Sequence, residues 1–163
     1  MKEQANAMHR SKQDVDAPSN IISADEAKNL HKNYMANRAT LIEEHERNVN
    51  DNEGYQATQY VEWNIKDIEQ YLAYLKEQAA LANTTVETIR IYQGQYCLGN
   101  NHNVDTMVWV PTTKIEGKTR GFYIDQEQHV QPVGNQPEVD EETVCSLFFN
   151  RGQSGPPPMS DWD

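Results

Sequence analysis

No run of twenty apolar residues occurs in the chain, which excludes a membrane-spanning helix. The opening residues Met1-Lys2-Glu3-Gln4-Ala5-Asn6 lack the apolar centre of a secretory leader. Basic residues are scarce and nowhere clustered. Fourteen Lys and Arg stand against 25 Asp and Glu, for a formal net charge of -11. That balance argues against a nucleic-acid backbone as partner. Two cysteines, Cys97 and Cys145, permit a single disulfide at most. Neither has a second cysteine at the spacing of a structural zinc site, and free thiols in a cytoplasmic protein are the expectation. The glycine-rich phosphate loops, the paired-histidine zinc helix, the calcium loop and the nucleophile elbow are all missing. Those absences remove enzymes legible from a contiguous motif. They leave enzymes whose sites are gathered from distant loops.

What is present reads as one domain between two polar ends. Residues 1–20 are rich in Gln, Asn, Lys, Asp and Ser, the composition of a disordered arm. Residues 21–150 carry the apolar pattern of an α+β domain, and 151–163 form a Pro-rich tail or strap. The acid is concentrated late: residues 125–163 hold eight Asp and Glu and one base, Arg151.

Ser23, with Glu26 three residues on, is a capping box that starts a long helix. Ala27, Leu30, Tyr34, Asn37, Leu41 and His45 mark one face at three-four spacing, and the polar run 48–54 ends it. This helix either lies across a sheet or pairs with a copy of itself, so a homodimer through residues 21–50 is one expectation. Tyr60–Trp63 is a short strand. Asn64 caps a second helix whose Ile65, Ile68, Leu72, Leu75 and Ala79 recur at helical spacing. Residues 86–92 alternate as a strand, with Ile89 and Ile91 on one side and Arg90 and Tyr92 on the other. Residues 105–110 form another strand, which Pro111 is expected to stop. A hairpin turn at 114–118 then leads to a returning antiparallel strand over 120–124. The expected fold is an antiparallel-rich sheet with two main helices packed on one face.

The strongest candidate site groups Arg90, Tyr92, Tyr96 and His102, with Arg151 reaching the same surface. An Arg fork with tyrosine walls suits an anionic or carboxylate-bearing ligand. If the chain is an enzyme, His102 oriented by Asp105, with Tyr96, supplies the acid-base chemistry. The competing reading pairs Arg90 with a surface acid and packs Tyr92 on a helix. Cys97 or Cys145 with His102 is a weaker nucleophilic pair. His31 and His45 lie fourteen residues apart on a helix, roughly 21 Å, too far to share an ion. No metal or cofactor is expected.

Several stretches resemble a group of small Bacteroidetes-type bacterial proteins. They are Trp63-Asn64-Ile65-Lys66-Asp67-Ile68-Glu69-Gln70-Tyr71-Leu72, Ile89–Tyr96, Val108-Trp109-Val110-Pro111-Thr112, and Asn150-Arg151-Gly152 with Gly155-Pro156-Pro157-Pro158. The likeness covers roughly residues 60–158. It brings no reaction, cofactor or catalytic residue with it. It implies that the polar rim and the proline turn belong to one domain.

Three functions follow as expectations. The first is a non-enzymatic binding or adaptor domain for a protein partner or small anionic ligand. The second is a small-molecule enzyme acting on a carboxylate-bearing substrate through Arg90, Tyr92 and His102. The third is an immunity-type inhibitor of a basic toxin, for which acidity supplies complementarity.

Overall fold

The computed structural model describes residues 16–97, 103–134, 144–145, 147–150 and 152–155. Its first element is a helical run in three parts: α1 (Ala24–Tyr34), a π-helical turn (Met35–Ala39) and α2 (Thr40–Val49). Ser23 caps it by accepting the Glu26 N–H at 3.1 Å. The π turn is wider than the α-helix on either side of it. Two side chains add donors there: Asn37 Nδ2 to the Asn33 carbonyl at 2.8 Å, and Thr40 Oγ1 to the Met35 carbonyl at 3.1 Å.

The π turn also changes which residues face inward. Ala27, His31, Tyr34, Met35, Ala39, Ile42, Glu43 and Glu46 are the covered positions, whereas Leu30, Asn37, Leu41 and His45 are exposed. The face expected from apolar spacing therefore differs from the covered one by part of a turn. An ideal 3.6-residue period cannot accommodate one extra residue in mid-helix, and it gives no reason to turn a carboxylate inward.

After strand β1 (Tyr60–Glu62), Asn64 caps α3 (Ile65–Leu81) by accepting the Lys66 N–H at 2.9 Å. Tyr71, Leu75 and Ala79 are its buried stripe. They meet Phe122, Ile124 and Leu147 to form the core, with Ile89, Trp109 and Phe149 packed around them. Ile65 is left 68 % exposed, before the stripe begins.

The sheet runs antiparallel in the order β2-β3-β4-β5, formed by β2 (Thr88–Cys97), β3 (Asn103–Ile115), β4 (Lys118–Asp125) and β5 (Val130–Pro132). Short β6 (Val144–Cys145) also lies against β4. The molecule is a single α+β domain. The β3–β4 hairpin turns at Glu116 and Gly117, both at positive φ (51° and 75°). Two such residues in a row match the right-handed twist of the strands they join.

Pro111 does not stop β3, which continues to Ile115. It sits opposite Ile89 in the β2 ladder. Trp109 exchanges both backbone bonds with Phe149, and the β4 register starts at Thr112. Pro111 thus falls where β3 changes neighbours on that edge, and its missing N–H leaves no ladder bond unmade.

Residues 147–150 and 152–155 strap back over the domain. Tyr71 donates its hydroxyl to the Leu147 carbonyl at 3.0 Å. Strand β7 (Gln153–Gly155) pairs antiparallel with β1, Val61 opposite Ser154. A Cβ on Gly152 would fall 2.5 Å from both Trp63 Cε2 and Val61 Cγ1, so only glycine allows this approach. The strap begins within the 21–150 span and continues past it, and its three prolines lie outside the described residues. Phe149 of the strap joins Trp63, Trp109 and Tyr71 in one aromatic cluster, with Tyr71 stacked on Phe149 at 4.5 Å and Trp63 edge-on to Trp109 at 5.2 Å. Among the described residues, no helix is long and apolar enough to cross a membrane.

Candidate functional site: a cleft between the long helix and the sheet

The segment 55–59 threads between the long helix and the β2–β3 hairpin. Its backbone is fixed by helix side chains. Tyr34 donates its hydroxyl to the Thr58 carbonyl at 2.8 Å, and Glu43 Oε1 accepts the Ala57 N–H at 3.1 Å. Ala57 is fully buried. Tyr55 reaches the sheet, donating to Asp105 Oδ2 at 3.2 Å, while Gln95 Nε2 holds Asp105 Oδ1 at 3.0 Å.

These contacts hold the helix off the sheet and leave a cleft of about 1030 Å³. Its helix wall includes Tyr34, Arg38 and Glu46, and its sheet wall Gln93, Gln95 and Asp105; Gln59 belongs to the thread between them. His31 and His45 also line it.

The cleft is rich in acceptors. Glu46 is only 4 % exposed, and its Oε2 has no hydrogen-bond partner among the described residues; buried Gln59 Oε1 has none either. No Lys or Arg among the described residues forms a salt bridge with Glu43, Glu46 or Asp105. Burial, then the charges of Asp105 and Glu43, push the Tyr34 phenol above its ordinary value. Burial and Asp105 push Tyr55 up further, Asp105 acting through both its charge and its hydrogen bond. Both phenols therefore stay protonated at neutral pH, as donors.

Of the residues expected from sequence to form a site, Asp105 lines this cleft. Arg90, Tyr92 and Tyr96 do not line it. Side chains alternate along β2, so Gln93 and Gln95 facing the cleft put those three on the opposite side. Arg90 Nη2 donates to the Thr119 carbonyl at 2.9 Å. Tyr92 and Tyr96 are 48 % and 40 % exposed. His102 and Arg151 lie outside the described residues, so the grouping of all five is not seen. Cys97 is an exposed free thiol, and Cys145 stands opposite Ile124 in β6.

Glu46, Gln59 and Tyr55 escaped the sequence reading. A signal for Glu46 existed: a carboxylate in register with Ala39 and Ile42, on a helix with few apolar residues to bury. Nothing in the local sequence marks Gln59.

A second convergence lies in the β4–β5 turn. Ligand atoms of Asp125, Glu127 and His129 fall within 4.8 Å of one another. The Asp125 carboxylate organises this turn, accepting the His129 N–H at 2.8 Å and Gln131 Nε2 at 2.9 Å. Those bonds, Gln131's first, hold it below the usual carboxylate range.

No family model matches the chain, and no curated protein or solved structure is significantly similar to it.

Proposed function

We propose that the chain is a non-enzymatic binding module and that the cleft between the long helix and the β2–β3 hairpin holds its ligand. The observation that carries this reading is the pair of buried acceptors, Glu46 Oε2 and Gln59 Oε1, that have no donor among the described residues and lie on one cleft. A buried unsatisfied acceptor costs about 1–3 kcal/mol, more when charged. An apolar residue at position 46 would avoid that penalty. Departures of this kind from a well-packed interior are expected at positions kept for function, and a cleft in which a few polar groups converge among apolar ones is a common form for a ligand site. One observation favours binding over turnover: the cleft phenols stay protonated at neutral pH, as hydrogen-bond donors rather than bases.

Thermal unfolding with a small panel tests the proposal: a diamine, a dicarboxylate, a sugar and a nucleotide, each at millimolar concentration. At about tenfold excess over Kd a true ligand adds ~1.4 kcal/mol, or roughly 3–6 °C at this chain length. Gln93→Trp, which fills the cleft mouth from an exposed position, abolishes the shift. A panel that shifts nothing, or a shift the tryptophan leaves intact, removes the proposal.

A further inference from the structure

We infer that the ligand of this cleft presents an organic cation, an ammonium or guanidinium group, to Glu46. The inference rests on the binding reading above and names its chemistry.

What the cleft lacks defines what it takes. Glu46 Oε2 and Gln59 Oε1 are both acceptors, so the missing groups are donors. The nearby Asp105 is a further carboxylate, already bonded by Tyr55 and Gln95 but with no cationic partner among the described residues. An anion entering here would meet two carboxylates on the cleft wall, whose charges repel it. A cation meets attraction at the same places, and its N–H groups fill both empty acceptors with charge-assisted bonds. Among the described residues, Arg38 is the one Lys or Arg on the cleft wall; it is exposed. It forms no salt bridge with Glu46. Tyr34 and Tyr60 also line the cleft, and aromatic faces attract cations. Glu46 Oε2 exposes under 1 Å², so contact is made when the carboxylate turns on its own side-chain torsions toward the incoming group.

The same chemistry has two sources: a free amine or guanidine, or the Lys or Arg side chain of a protein. Isothermal titration of the full chain separates them, with agmatine and putrescine as free cations, acetyl-Gly-Arg-Gly-amide as the side-chain mimic, and glutarate as the anion. The expected result is binding of at least one cationic probe, weakened tenfold or more by Glu46→Gln. Asp105→Asn weakens it too, which keeps the test decisive if the first variant fails to fold. Glu44→Gln, on the exposed side of α2, leaves it unchanged. Binding of the free cations identifies a small molecule. Binding of the peptide alone identifies a partner's side chain. Glutarate binding without cation binding overturns the inference and leaves the binding module standing. Cation binding that ignores both Glu46→Gln and Asp105→Asn reports only the acidic surface and also overturns it. If neither these probes nor the wider panel bind, the inference and the binding module fall together.

Discussion

Glu46 sits between Ile42 and Asn50 on the inward stripe of the long helix, a place where leucine would pack with no need of a partner. Glu46→Leu removes both the unpaired acceptor and its charge. It is expected to raise stability by about 1–3 kcal/mol, and hence Tm by roughly 2–4 °C per kcal/mol. A fall in Tm on differential scanning calorimetry would mean that Oε2 has a donor after all. Tyrosines set a second expectation. The Tyr34, Tyr55 and Tyr71 phenols are all held above the ordinary 10.0, Tyr71 by burial alone. The native state keeps these protons after the unfolded chain has begun to release them. Their contribution is therefore complete below pH 10 and declines as pH climbs past it. Tyr71→Phe makes the alkaline limb of a stability–pH curve shallower, and an unchanged limb argues against the assignment. At Gly152, alanine places a methyl group 2.5 Å from Trp63 and Val61. Overpacking of this sort costs about 1–3 kcal/mol. Urea denaturation should show that loss, with the tryptophan emission of the native state shifted red as the strap lifts.

Among the elements, the hairpin is the part most readable in the sequence. Glu116-Gly117 between two alternating runs specifies a two-residue turn, and the strands pair in the register that turn imposes, Ile115 opposite Lys118. Because Glu116 occupies φ 51°, where asparagine is at ease, Glu116→Asn is expected to stabilise by a few tenths of a kcal/mol. Gly117→Ala should destabilise by about 1–2 kcal/mol, the penalty of a left-handed L-residue. Equilibrium unfolding of the two variants should therefore bracket the parent. The second helix was equally legible, since Leu75 and Ala79 are apolar where the period demands and the core meets them there. Legibility fails wherever geometry depends on distant partners. Pro111 reads as a stop because a lone sequence cannot show that β3 exchanges Phe149 for β4 at that point. The inward face of the long helix was obscured by the π turn, and the cleft by its dependence on Tyr55 and Asp105, fifty positions apart. Arg90 and Tyr92 read correctly as sharing one side of β2. Period-two alternation cannot tell which side a helix will cover.

At the scale of the whole molecule, charge governs. With a net -11, the compact state repels itself, and added salt screens that repulsion over about 10 Å at 0.1 M. Tm should rise between low salt and 0.15 M sodium chloride. A flat or falling Tm would show that specific ion pairs outweigh the general repulsion. The strap that joins β7 to β1 has a different kind of consequence, one of timing. During synthesis, the helices and the β2–β3–β4 meander leave the ribosome before the residues that cover Trp63 and Trp109. Contacts so distant in sequence form late and slowly. Until Phe149 and Gly152 emerge, the nascent chain shows two indoles to its surroundings.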